Sequence, residues 1–284
     1  MAATQQLLAS YGGFVGPFDS LSTGIFAAVS SRRLFSAFTG SPMRMRVQPG
    51  ATDAIIPFNG GFTDVDSTAR AALLGSSDGC IVTAYDQTGL GSRDFTQGTA
   101  ANQPPTKLSG TLITVNGKQA FVGVQGATGV QLATPSVAHG IGTGDWMVST
   151  ILKRAAADST APPLWAIGSA TVQLVGLARG FPLLNAGVYI GGTSRQFEPI
   201  LTNGATYVLT FTRESGTVKC YLNGTVQTTT YSDSTNITSD HLVILGEKTA
   251  SPWAGTDSIL EMVWSTSVAN RAAIIANQRT YAGV

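Results

Sequence analysis

From about residue 105 onward the chain reads as one short extended segment after another, and this constrains the fold more than any other feature. GTLITVNG, KQAFVGV, DWMVSTILKR, LWAIGS, TVQLVGLA, AGVYIGG, TYVLTFTR, TVKCYLNG, TVQTTTYS, HLVILGE and SILEMVWS are rich in β-branched and aromatic residues. Clusters of Gly, Asn, Ser and Pro separate them. Alternation places Tyr207, Leu209 and Phe211 on one face of a strand, and Val218, Cys220 and Leu222 on one face of the next. Glu214-Ser-Gly216 and Asn223-Gly224 lie where hairpin turns are needed, and Asn-Gly suits a type I′ turn because both central positions take positive φ. Many short antiparallel strands at this spacing predict an all-β jelly-roll β-sandwich with a few short helices.

The first hundred residues have a different texture. Ser20 to Phe38 carries apolar residues at Ile25, Phe26, Val29, Leu34 and Phe38, a spacing that predicts a helix stopped by Gly40 and Pro42. Arg44 to Gln48 alternates and predicts a strand. Asp64-Val-Asp66-Ser-Thr predicts the capped start of a short helix ending at Gly75. Cys80 to Gln87 reads as a buried strand running into YDQTGLGSRDFTQ. A last helix, VANRAAIIANQRTY, closes the chain.

Composition excludes several functions. Charged residues make up only 12% of the 284, and the 17 basic residues nearly balance the 16 acidic ones. No basic run exceeds Arg32-Arg33, so no nucleic-acid footprint is expected. No apolar run approaches the roughly 20 residues of a membrane span, so no membrane insertion is expected. The N-terminus has neither a basic nor an apolar leader region, so no secretory signal is expected. Two separated cysteines, two distant histidines and no dense acidic loop predict no metal site and no cofactor. Cys220 is expected to be a small buried apolar residue rather than half of a disulfide.

Two resemblances rest on particular residues. TYVLTFTRESGTVKCYLNG, HLVILGE and WAGTDSILEMVWS resemble the laminin-G-like, concanavalin A-like jelly roll, with Asn223 and Gly224 in its characteristic turn. AVSSRRLFSAFTGSPMRMRV, DSTARAALLG and VTAYDQTGLGSRDFTQGTAANQP resemble the start of the arabinofuranosidase B catalytic module. They are equally similar to segments of bacteriophage tail-associated and other virion proteins. Tyr85, Asp86, Gln87 and Gly89, with Gln97 and Gln103-Pro104, are the most specific part. In both groups this segment leads into a concanavalin A-like sandwich. These resemblances imply an N-terminal arm (1–19) and one jelly-roll domain (20–284), divided into an arabinofuranosidase-like leading segment (20–104) and laminin-G-like strands (105–284).

The departures weigh on function. The enzymes carry a vicinal cysteine pair and a nucleophilic glutamate, whereas this chain has no adjacent cysteines and only Glu198, Glu214, Glu247 and Glu261. Glu247 and Glu261 end or occupy neighbouring strands and are the conceivable carboxylate pair; a structural role at the rim or in a hydrogen bond is the expectation for one or both. His139 and His241 lack a nucleophile elbow nearby. Trp253, in SPWAGTD, is the candidate glycan contact, while Trp146 and Trp264 are expected in the core. YDQTGLGSRDFTQ is expected to be a structural corner. In it Asp86 and Gln87 would bond backbone, Gly89 and Gly91 would supply unusual dihedrals, and Arg93 and Asp94 would pair locally or hold the next segment.

The expected function is therefore a non-enzymatic structural protein of a tailed bacteriophage virion, a surface-exposed head decoration, fibre or tail component. It would be assembled in the host cytoplasm as a homo-oligomer among other virion proteins, with host glycans as candidate ligands. The alternatives are a glycoside hydrolase of the arabinofuranosidase type and a stand-alone carbohydrate-binding module.

Overall fold

The computed structural model describes residues 14–59, 64–91, 93–123, 130–155, 163–168, 173–177, 185–198, 200–246 and 257–284. In these residues two antiparallel sheets pack face to face. Leaving aside Pro105–Leu108, which branches off Asp78–Ala84, the strands of three residues or more, together with the two short strands that complete the large sheet, are β1 (Ile25–Ser30), β2 (Met43–Gln48), β3 (Asp53–Ile56), β4 (Asp78–Ala84), β5 (Phe95–Thr96), β6 (Leu132–Ala133), β7 (Trp146–Lys153) and β8 (Pro163–Ile167). They continue with β9 (Leu174–Leu177), β10 (Gly187–Ile190), β11 (Thr193–Gln196), β12 (Thr206–Glu214), β13 (Thr217–Leu222), β14 (Leu242–Ile244) and β15 (Ser258–Ser265). The small sheet runs β1-β15-β7-β12-β13, and the large sheet runs β11-β10-β9-β8-β14-β6-β5-β4-β2-β3. The all-β sandwich expected from the strand pattern is the observed fold.

The core fills the space between the sheets. Trp146, Val148, Leu209, Phe211, Met262 and Trp264 face it from the small sheet, and Met43, Met45, Ile81, Phe95, Trp165 and Ile244 from the large one. Phe95 stacks on Trp264 at 5.0 Å between ring centroids, and Trp146 meets Trp165 edge-on at 6.4 Å. Such aromatic pairs add about 0.5–1.5 kcal/mol beyond the area they bury. They join strands that are far apart in sequence. Cys220 is fully buried in this core beside Val218, and burial pushes its thiol pKa up.

The expected helix over Ser20–Phe38 is not formed. Ile25–Ser30 is strand β1, buried at all six positions. Its inner residues Phe26, Ala27 and Val29 join the main core, while Ile25 and Ala28 pack with Leu34, Met147 and Ile274 on the other side. A strand covered on both faces loses its period-two signature and becomes a run of apolar residues, whose spacing here coincides with that of a helical stripe. Strand β3 and strand β11 also had no sequence reading of their own.

Two α-helices are present among the described residues. Helix α1 (Ser67–Leu74) begins at Asp66, whose carboxylate accepts from the Thr68 and Ala69 N–H groups at 2.8 and 3.0 Å. That cap contributes about 0.5–2 kcal/mol. Helix α2 (Arg271–Ala282) lies on the outer face of the small sheet, burying Ile274, Ile275 and Gln278, and ends at Gly283 with φ +72°. Where the arm 1–19 was expected, residues 1–13 lie outside the described residues, Phe18 is fully buried, and Asp19 accepts from Gly16 and Ser36 N–H groups.

Candidate functional site

The YDQTGLGSRDFTQ motif closes one edge of the sandwich. It follows β4 in the large sheet and reaches across to β1 and the segment after it in the small sheet. Asp86 Oδ1 accepts from Ala28 N–H at 2.8 Å and from Thr88 N–H at 3.3 Å, and Oδ2 accepts from the Thr88 hydroxyl at 2.5 Å. Burial pushes the Asp86 pKa up, while the bonds from Thr88 and Ala28 oppose the shift. The Gln87 amide satisfies three backbone groups: it accepts from Leu34 N–H at 2.8 Å and donates to Ser30 and Arg32 carbonyls at 3.0 and 2.9 Å. Gly89 and Gly91 take φ of +73° and +69°. Arg93 donates to the Phe26 and Ala138 carbonyls, and Asp94 accepts from the Asp86 N–H at 3.0 Å. Every polar side chain just named takes part in holding the corner together.

The other turn motif behaves in the same way. Asn223 and Gly224 have φ of +49° and +86°, and Asn223 Oδ1 accepts from Val208 N–H at 2.8 Å. Beside the corner lies an open pocket of about 290 Å³ that includes Asp19, Phe35, Thr88 and Leu90. Its Asp19 carboxylate and Thr88 hydroxyl are already bonded within the chain.

The glutamates separate clearly. Glu261 is fully buried on the outer side of the small sheet, bound by Arg32 and by the Ser30 hydroxyl at 2.8 Å. Glu214 is held by Lys219, Tyr221, Thr212 and Arg271; burial works against its ionisation, but these four partners outweigh it and the pKa falls. Glu198 accepts from Thr228 and Thr229, and these hydrogen bonds hold its pKa at about 2. Glu247 and Trp253 lie outside the described residues. Trp146 and Trp264 are core residues, as expected. The cysteines Cys80 and Cys220 are both buried and free, and burial raises the Cys80 pKa to about 11. Neither matches a vicinal pair lining a sugar pocket. Among the described residues no cluster of three or more His, Cys, Asp or Glu is arranged to hold a metal.

One row of neighbours was not legible in the sequence. The strand registers align Ile55, Arg44, Thr83, Thr96, Ala133, Val243, Ala166, Val175, Tyr189 and Ser194 as successive neighbours across the outer face of the large sheet. The middle of this row is small and apolar: Ala166, Val175, Leu177 and Val243 cluster there, flanked by Ala133 and Tyr189. Toward β3 it becomes polar, with the Thr83 and Thr96 hydroxyls 3.3 Å apart and Arg44 bridged to Asp53 at 2.6 Å. Ala166, Val175, Leu177 and Val243 are themselves buried, so the middle of the row is a second packed layer and not an open ligand surface. The central strands are buried on both faces, so their sequences give no hint of which residues point outward.

No family model matches the chain, and no curated protein matches it. Solved structures do. A mutant GH54 α-L-arabinofuranosidase soaked with 4-nitrophenyl α-L-arabinofuranoside aligns with 93% of this chain and 65% of its own, at a TM-score of 0.65 and 14% identity. An arabinofuranosidase complexed with arabinofuranosyl-α-1,2-xylobiose aligns over 93% and 64%, at a TM-score of 0.66 and 14% identity. A GH54 enzyme soaked with a cyclic sulfate inhibitor gives a TM-score of 0.59 at 14% identity. The chain thus spans just under two thirds of the length of these enzymes. The expectation of a non-enzymatic bacteriophage virion protein is corrected by these neighbours: the solved structures that share the fold over 93% of the chain are arabinofuranosidases. The chain is built on the β-sandwich that GH54 α-L-arabinofuranosidases use.

Proposed function

We propose that this protein is a glycoside hydrolase of the arabinofuranosidase type. The observation that carries the reading is the alignment of 93% of the chain with enzymes solved around arabinofuranosides.

Hydrolysis of a glycoside needs two carboxyl groups, about 5–5.5 Å apart for retention and about 6.5–9.5 Å for inversion. Of the four glutamates, Glu198, Glu214 and Glu261 are bound to structural partners. Glu247 follows β14 in the sequence and lies outside the described residues. Glu247 is therefore the glutamate whose catalytic role the experiment tests.

The test is release of 4-nitrophenol from 4-nitrophenyl α-L-arabinofuranoside, with Glu247→Gln and Glu261→Gln as variants. Turnover that falls by two or more orders of magnitude in Glu247→Gln, and persists in the folded fraction of Glu261→Gln, supports that role. No turnover by the wild-type protein on aryl furanosides or arabinose-bearing polysaccharides overturns the hydrolase reading. If those polysaccharides are nonetheless bound, the protein is a binding domain on the same fold.

A further inference from the structure

His139 is buried in the segment 137–144, which folds back along residues 235–241. The two segments are joined at Val137 N–H to the Asp240 carbonyl (3.2 Å) and by reciprocal bonds between Gly142 and Ile237 at 3.1 and 2.9 Å. Between these joints, the imidazole uses both ring nitrogens. Nε2 lies 2.9 Å from the Thr238 carbonyl, which can only accept, so Nε2 carries the hydrogen. Nδ1 lies 3.2 Å from the Ile141 N–H, which can only donate, so Nδ1 must offer its lone pair. Only the neutral Nε2–H tautomer satisfies both neighbours.

A proton on Nδ1 would set two donors against each other and leave the Ile141 N–H unpaired. The surroundings give the cation little help. The Phe26 ring packs 5.8 Å from the imidazole. Arg93, bonded to the Ala138 carbonyl, adds a second positive charge, while Asp240 opposes it but is also paired with His241 at 2.8 Å. Burial, with a smaller contribution from Arg93, pushes the His139 pKa down against the Thr238 carbonyl and Asp240.

The far half of the same segment is anchored differently. Arg213, fully buried, donates to the Gly142 and Gly144 carbonyls at 2.8 Å each and to Thr235 at 2.6 Å, and pairs with Asp233 at 2.7 Å. A guanidinium stays charged across the range in which an imidazole titrates.

We propose that residues 137–141 form an acid-released flap, latched by neutral His139 and hinged at the Arg213 clamp. Above the ordinary histidine pKa the latch is closed. As the pH falls below about 6.5 the open form takes up a proton more readily than the closed form. Opening then becomes more frequent by up to about tenfold per pH unit.

The experiment is amide hydrogen exchange on the full chain at pH 7.5 and pH 5, corrected for intrinsic exchange rates. Protection of the Val137 and Ile141 amides should fall by about tenfold or more at pH 5, while the Ile237 and Gly142 amides keep theirs. In His139→Gln the pH dependence should vanish, and His241→Asn should retain it. A wild-type protein whose Val137 and Ile141 protection does not change with pH overturns the proposal, and so does an equal fall in His139→Gln. Nitrogen-15 shifts of the wild-type imidazole give a second test that needs no variant. The His139 ring should be an Nε2–H tautomer at pH 7.5 and titrate below the ordinary range; an Nδ1–H tautomer or an unshifted titration overturns it.

Discussion

Arg32 and Glu261 form a two-pronged ion pair, Nε to Oε2 at 2.7 Å and Nη2 to Oε1 at 3.1 Å, around a carboxylate with no solvent exposure. The pair joins the residues just after β1 to β15, and Arg32 also donates to Asn277 of helix α2 at 2.7 Å and lies 4.1 Å above the Tyr281 ring. One guanidinium thus binds an edge strand, a central strand and the C-terminal helix. Arg32→Met, which leaves the carboxylate charged and buried, should cost about 3–5 kcal/mol. Arg32→Met with Glu261→Gln should cost less than the sum of the two single changes, as expected for coupled neighbours. Urea denaturation of the three variants measures this directly.

Asp86 should answer differently to two replacements. Asp86→Ala strands the Ala28 N–H in a buried position and should cost about 1–3 kcal/mol. Asp86→Asn keeps Oδ1 as the acceptor for Ala28 and can donate to the Thr88 hydroxyl, so its loss should be smaller. Saccharide binding by correctly folded protein should be unchanged in both. Equal losses from the two variants would show that the charge, not the acceptor, holds the corner.

Gly176 faces Trp165 across β8 and β9. A Cβ at Gly176 would lie 2.2 Å from Trp165 Cε2, inside the ring that anchors the middle of the core. Gly176→Ala should therefore destabilise by about 1–3 kcal/mol through overpacking. Near-ultraviolet circular dichroism should change as the Trp146, Trp165 and Phe211 contacts are displaced.

Glu214 and Glu198 predict acid sensitivity of definite sign. Both have folded pKa values below the ordinary 4.5, Glu198 at about 2. The unfolded chain takes up their protons first as the pH falls, so their contribution is present above about 4.5 and is lost on going down through the depressed values. Asp86, whose pKa is raised, acts in the opposite sense. Unfolding free energy measured from pH 6 to pH 3 should fall more steeply in the wild type than in Glu214→Gln. Parallel curves would exclude Glu214 as a contributor.

Much of the fold was legible because its cause is local. Strand alternation in β12 and β13, the Asn223-Gly224 turn, the Asp66 cap and the closing helix each depend on residues a few positions apart. So does the corner at Tyr85–Gln97, whose glycines and short polar residues mark a turn whatever it touches. The sequence by itself determined an all-β sandwich and the presence of a turn at that corner. Only the tertiary structure decided that Ile25–Ser30 is a strand, because burial on both faces erases the alternation that would have revealed it. It also decided that Glu261 is a structural anion, since its partner Arg32 lies 229 positions away. The row from Arg44 to Tyr189 exists only once eight strands are set in register, and no single segment carries a trace of it.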